Sequence, residues 1–179
     1  MIATFSSYNI DVIQDQDAWK LCDFMVANED RLKRYFPKTL AQNLTPTLSK
    51  HFCEKKVRQF QDKEEFLFLI KEKGSEALVG LVYIKDLDWE KGQGEFAYCI
   101  GYPFEGKSIT TYAVKLLSEY AFNHLDIKTL QIIVFKENIA SVKVATNNGF
   151  TWKKILKNEY TPPNEEPLDM ELYELYNEG

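Results

Sequence analysis

Gly94-Glu95-Phe96-Ala97-Tyr98-Cys99-Ile100-Gly101-Tyr102-Pro103-Phe104-Glu105-Gly106-Lys107-Ser108-Ile109-Thr110 is the stretch on which the fold is read. Glu95 to Ile100 has the apolar and aromatic content of a strand, and Gly101 to Lys107 carries turn residues. From Ser108 the spacing becomes helical. A strand therefore runs through a tight loop into a helix. Such a helix start presents N–H groups with no intrahelical acceptor, at the positive end of the helix dipole, and suits a phosphate group. Strand alternation sets Glu95, Ala97 and Cys99 on one face and Phe96, Tyr98 and Ile100 on the other.

The pattern continues on both sides. Downstream, Ser108 to His124 reads as a helix, Leu130 to Phe135 as an apolar strand, and Ile139 to Asn147 as a helix ended by Gly149. Strands at Thr151 to Leu156 and Met170 to Tyr176 flank a proline-containing loop. Upstream, Tyr8 to Ile13 is a first strand. Gln16 to Asn28 is a helix with Trp19, Leu21, Cys22, Met25 and Val26 at its apolar positions. Arg31 to Phe36 is a short segment stopped by Pro37, and Lys38 to Pro46 is a loop. Leu48 to Gln61 is a second long helix, capped by Thr47, with Phe52, Val57 and Phe60 as its buried stripe. Phe66 to Ile70 and Ala77 to Ile84 are strands joined through Lys73-Gly74-Ser75, and the turn Trp89 to Gly94 leads back to the opening strand. An antiparallel meander followed by a strand-helix-strand unit predicts an α/β chain with a mixed, mostly antiparallel sheet of about seven strands. No repeat or linker interrupts residues 1–179, so a single domain is expected.

Composition narrows the function classes. The chain has 179 residues, a net charge of −5, and apolar and charged fractions ordinary for a globular protein. A mildly acidic chain is a poor match for nucleic acid and suits a neutral or cationic substrate. No stretch approaches the roughly 20 apolar residues of a membrane span, and the first residues lack the pattern of a signal peptide. Cys22, Cys53 and Cys99, with His51 and His124, are too dispersed for a disulfide framework or a metal site. A cytoplasmic protein with reduced thiols and no metal is expected, as a monomer or homodimer, with no nucleic-acid or membrane partner.

Gly101 to Ser108 fits the phosphate-loop pattern G-x-x-x-x-G-K-S. Its physical content argues against a nucleotide triphosphatase. Tyr102, Pro103 and Phe104 are bulky, proline has no donor, and Glu105 brings a carboxylate to the anion. The strand at Gln131 to Phe135 runs into Lys136 rather than an acid that could serve a metal ion. A phosphate-loop protein is thus the weaker alternative.

The stretch resembles the GNAT superfamily of N-acetyltransferases, and most closely its ribosomal-protein alanine and serine N-acetyltransferase branch (RimJ/RimL-like). In that branch a strand of type E-I-G-Y-W-I runs into P-x-Y-Q-G-K-G and an apolar helix. Glu95 to Ile100 matches the strand, and Phe104-Glu105-Gly106-Lys107-Ser108 matches the loop without gaps. Glu137-Asn138-Ile139-Ala140-Ser141 and Asn148-Gly149-Phe150 are similar to the family's E-N-x-A-S and L-G-F blocks. The resemblance implies helices on both faces of the sheet and acetyl-coenzyme A as co-substrate, with an amine of a protein N-terminus or of a small molecule as acceptor. It implies that the amides of Glu105, Gly106, Lys107, Ser108, Ile109 and Thr110 hold the pyrophosphate. It further implies that main-chain groups of Ile100, Gly101 and Tyr102 pair with the pantetheine arm and that Asn138 bonds the same arm. Lys136 and Lys143 are candidates to approach the adenosine phosphates, with plain solvent exposure as the alternative. Three residues depart from the family pattern: Glu105 stands for Gln or Arg, Ser108 for Gly, and Thr110 for a small residue.

Many relatives carry an acidic tyrosine where this chain has Ala145, so that route is absent. The resemblance points instead to Ser141, which would hydrogen-bond the leaving thiol. Glu95 would accept the amine proton, directly or through water. Each has a plainer alternative: Ser141 as a first-turn helix serine, Glu95 as a structural carboxylate. Tyr98 reads best as a packing tyrosine. The acidic run Glu165-Glu166 suits the rim of a groove for a cationic amine. The competing class is a non-catalytic acyl-coenzyme A-binding module.

Overall fold

The computed structural model describes every residue from Met1 to Gly179. The strands are β1 (Ala3–Phe5), β2 (Tyr8–Val12), β3 (Phe66–Glu72), β4 (Leu78–Asp88), β5 (Gln93–Ile100), β6 (Thr129–Val134), β7 (Thr151–Tyr160) and β8 (Leu168–Tyr176). The helices are α1 (Ala18–Ala27), α2 (Glu29–Leu32), α3 (Pro37–Ala41), α4 (Pro46–Gln61), α5 (Ile109–His124) and α6 (Ile139–Asn147). The strands form one sheet in the order β1-β2-β3-β4-β5-β6-β8-β7. The β5–β6 pair is parallel, with α5 lying between the two strands in sequence; β1–β2, β2–β3, β6–β8 and β7–β8 are antiparallel. The short links from β3 to β4 and from β4 to β5 are too brief for a parallel crossover. The mixed, mostly antiparallel sheet is as expected. It gains an eighth strand, because Ala3–Phe5 closes a hairpin on β2 that three residues of sequence cannot announce.

The chain divides into two compact units, Met1–Val82 with Tyr98–Lys107, and Tyr83–Ala97 with Ser108–Gly179. In the first, β3 is buried along Phe66 to Lys71, so both of its faces are covered. Phe60 of α4 meets Phe66 and Phe68 edge-on at ring separations of 4.8 and 5.5 Å. Lys71 is buried with Asp17, whose Oδ1 accepts from Nζ at 2.7 Å while its Oδ2 accepts from the Gln14 N–H at 2.9 Å. In the second unit, α5 buries Ile109, Ala113, Val114, Leu117 and Ala121, the stripe of a helix lying on a sheet. Phe96 and Phe150 pack with ring centroids 6.3 Å apart.

Local chemistry corrects four details of the expected elements. Thr45, not Thr47, caps α4, its hydroxyl accepting from the Leu48 N–H at 3.2 Å. Pro37 begins α3 rather than merely stopping a segment, since its fixed φ suits a first helical residue. Trp19 and Val26 lie on the outer side of α1, 67% and 49% exposed, and the buried face is Ala18, Leu21, Cys22, Phe24 and Met25. On α4 the buried residues are Ser49, Phe52, Cys53 and Lys56, with Val57 and Phe60 half-buried.

Candidate active site

The loop after β5 is tied at its start and open at its end. Gly101 donates its N–H to the Val79 carbonyl at 2.9 Å, and the Tyr102 N–H donates to Asn28 Oδ1 at 3.0 Å. Asn28 is itself buried, its Nδ2 donating to the Phe24 carbonyl at 2.8 Å. A 3₁₀ turn over Tyr102–Phe104 follows, closed by the Phe104 N–H on the Gly101 carbonyl. The chain then reverses through two left-handed residues, Gly106 at φ +69 and Ser108 at φ +58, before α5 starts at Ile109. The N–H groups of Gly106, Lys107, Ser108, Ile109, Thr110 and Thr111 find no acceptor within the chain; the next, Tyr112, bonds to the Ser108 carbonyl. The result is a run of free main-chain donors, solvent-facing from Gly106 to Ser108, at the positive end of a 16-residue helix. Ile109 buries its side chain and so contributes only its amide.

Glu105 does not oppose this site as its charge alone suggests. Its carboxylate pairs with Arg31, whose guanidinium lies over the Tyr102 ring at 5.0 Å. Lys107 sits over the Phe104 ring at 5.5 Å. The Gly101 and Tyr102 donors are thus already used. The β5–β6 ladder is short. It pairs Gln93 with Thr129 through Phe96 with Ile132 and then ends, while β5 runs on to Ile100.

At the start of α6, Asn138 is the N-cap, its Oδ1 accepting from the Ser141 N–H at 3.4 Å. Asn138 and Ser141 thus share one helix turn, both half-buried, and Lys143 is exposed. Asn148 locks the far end of α6 to α5. Its Nδ2 donates to the Thr111 carbonyl at 3.1 Å and the Val144 carbonyl at 2.9 Å, fixing the helix of Ser141 against the helix of Thr110. Tyr98 is half-buried.

Glu95 lies in register with Gln131 of β6. Its side chain is 16% exposed, and Lys85 Nζ stands 3.3 Å from Oε1. Burial pushes its carboxyl up to about 7; Lys85 opposes the shift and Asp86 adds to it. The Lys85 ammonium is held above its ordinary range although burial works against it, because Glu95 and Asp86 outweigh that cost. Sequence reasoning missed Arg31, Asn28, Lys85 and Asp86, each of which acts through a contact made only in the folded chain.

Residues 10–151 match the family model of the acetyltransferase (GNAT) domain. The chain belongs to that family. GNAT acetyltransferases take acetyl-coenzyme A as acyl donor. The GNAT chain is 29% identical over 103 residues to the spermidine N(1)-acetyltransferase of Escherichia coli K12, covering 58% of this chain and 54% of that enzyme, so it spans about half the length of this curated relative. Among solved structures it is similar to the ribosomal-protein-S5-alanine acetyltransferase of Vibrio fischeri, with a TM-score of 0.92 at 21% identity, covering 98% of this chain and 96% of the other. It is also similar to RimL, the ribosomal L7/L12 α-N-protein acetyltransferase in complex with coenzyme A, with a TM-score of 0.88 at 16% identity and coverage of 98% and 97%. At these identities both likenesses speak for the fold. No helix is long and apolar enough to cross a membrane.

Proposed function

We propose that this protein is an acetyl-coenzyme A-dependent N-acetyltransferase, one domain over residues 1–179, whose acceptor is a protein N-terminal amine. The observation that carries the reading is the run of free donors from Gly106 to Thr111, which fits a diphosphate. The left-handed residues at 106 and 108 turn the loop without spending those donors, and the Arg31–Glu105 pair offsets the one carboxylate on it. The main chain of β5 past Phe96 would accept the extended pantetheine arm as an added strand. Asn138 would steer that arm, and Lys143 would meet the adenosine phosphates.

Acetyl-coenzyme A supplies an activated acyl group as a thioester. In a ternary complex the incoming amine loses a proton to Glu95, its nitrogen bonds to the acetyl carbon, and the carbon–sulfur bond breaks. The thiolate, held by a hydrogen bond from Ser141, takes a proton from solvent, and Glu95 releases the amine proton to solvent before the next turnover. A base whose proton affinity lies near neutrality is well matched to that task. The exposed Glu165 and Glu166 suit an amine that arrives as a cation.

The acceptor choice draws on the likeness to ribosomal-protein acetyltransferases. The identity to a spermidine acetyltransferase makes a polyamine the second reading. Coenzyme A release, followed with a thiol reagent over a panel of N-terminal peptides and polyamines, separates the two. Turnover on peptides that collapses in Ser141→Ala and Glu95→Gln supports the proposal. Tight coenzyme binding with no turnover on any acceptor identifies a binding module, and protection by ATP alone identifies a nucleotide-binding protein.

A further inference from the structure

We propose that Lys85 and Asp86 are positioning residues that set the proton affinity of Glu95 in opposite directions. The inference rests on the reading of Glu95 as the proton acceptor. It concerns two residues that the family blocks of the sequence do not touch.

The argument begins with the backbone of β4. In an unbroken strand, residues 85 and 86 point to opposite faces. Asp86 instead takes φ +49, a left-handed conformation that costs a non-glycine residue energy and persists only where surrounding contacts impose it. The left-handed residue breaks the alternation, and the Lys85 ammonium lies between the Asp86 and Glu95 carboxyls. Lys85 Nζ stands 2.6 Å from Asp86 Oδ2 and 3.3 Å from Glu95 Oε1, so one ammonium bridges two carboxylates. The Lys85 ammonium thus links the two carboxyls, and the Asp86 charge adds to the upward shift of Glu95. Asp86 is held below the ordinary carboxylate range although burial works against its charge, because the bond to Lys85 prevails.

Two charged groups bear on the Glu95 carboxyl, Lys85 and Asp86. From β4 it faces Lys85 and Asp86. From β6 it is in register with Gln131, whose Nε2 donates to Glu174 Oε2 of β8 at 3.0 Å. Glu174 Oε1 also accepts from the Tyr176 hydroxyl at 3.0 Å. Glu95 is thus a buried acid between one cation that favours its charged form and one anion that favours its neutral form. Paired environments of this kind set an acid near the working pH. A carboxylate in plain contact with a lysine would stay ionised and be too weak a base. The Asp86 side chain, itself 67% exposed, stays charged and competes for that lysine.

The test uses the full-length protein and two readouts. The first is the titration of the Glu95 side-chain carbon by ¹³C NMR, assigned by its absence in Glu95→Gln. The second is the acid limb of the kcat/KM profile for coenzyme A release. Lys85→Met removes the cation and should raise the Glu95 midpoint by roughly one pH unit; Asp86→Asn removes the competing anion and should lower it by a similar amount. Asn tolerates the left-handed position and methionine keeps the lysine stem, so both variants should fold; circular dichroism checks this. Midpoints that do not move, or that move in the same direction, overturn the inference. The base reading fails separately, when Glu95→Gln leaves the acid limb in place while the NMR midpoints still part as described.

Discussion

Arg31 and Glu105 form an ion pair that places a positive charge against the one carboxylate on the loop after β5. It explains how a chain can carry Glu where relatives carry Gln or Arg and still offer its amides to an anion. The pair is half open to solvent, so its effect should be modest and salt-sensitive.

Arg31→Ala leaves Glu105 uncompensated beside the diphosphate and also removes the cation over the Tyr102 ring. The KM for acetyl-coenzyme A should rise by about three- to fivefold at low salt. Adding Glu105→Gln to the same chain should bring it back to near the parent value, and molar salt should shrink the difference. An equal rise in the double variant would assign the effect to lost packing instead.

Ser108 occupies a conformation that glycine enters freely. Replacing it with glycine should relieve strain and raise unfolding stability by up to about 1 kcal/mol, less the backbone entropy glycine carries. Ser108→Val should lose a similar amount or more and weaken coenzyme binding. Chemical unfolding and coenzyme titration of the three chains give the ranking.

Gly80 lies where a Cβ would stand 2.6 Å from the Cys99 carbonyl oxygen and 3.2 Å from the Ile100 side chain. Neither the β5 main chain nor its neighbour can move cheaply. Gly80→Ala should cost about 2 kcal/mol and displace the end of β5, so coenzyme affinity should fall with stability. A stable, fully active Gly80→Ala chain would show that the close approach is not required.

Lys71 and Asp17 are each almost fully buried and bonded to one another. Lys71→Met strands a buried carboxylate and should cost about 3 kcal/mol. Lys71→Met with Asp17→Leu removes both charges and should recover much of that loss, which urea unfolding of the singles and the double would show.

Glu95 also gives stability a pH dependence. Its folded proton affinity, about 7, lies above the ordinary 4.5. The native state therefore binds the proton more tightly than the unfolded chain, and the contribution is complete below pH 4.5 and lost as pH rises to 7. The span is on the order of 3 kcal/mol. Unfolding at pH 5 and pH 8 should show a wild-type decline that Glu95→Gln lacks.

The strand-loop-helix of residues 94–110, the helical spans around it and the mixed sheet were all readable, because their periods are local properties. The two blocks bearing Glu105 to Thr110 and Asn138 to Ser141 were readable by resemblance. Three features were not. Arg31 reaches Glu105 from a distant helix, and no local pattern marks that pairing. Asp86 looks like one more polar strand residue, and neither its left-handed φ nor the placing of Lys85 between it and Glu95 is marked in sequence. The sequence reading places the cap at Thr47, whereas Pro46 at the first helical residue puts it at Thr45. Each case is a tertiary or backbone effect that propensity does not carry.

The most direct test follows the amides themselves. Titrating coenzyme A into ¹⁵N-labelled protein should shift the N–H resonances of Gly106, Lys107, Ser108, Ile109, Thr110 and Thr111 together and saturably. Dephospho-coenzyme A, which keeps the diphosphate, should reproduce the pattern. Resonances that stay in place while coenzyme A binds elsewhere, or no binding at millimolar ligand, would contradict the account.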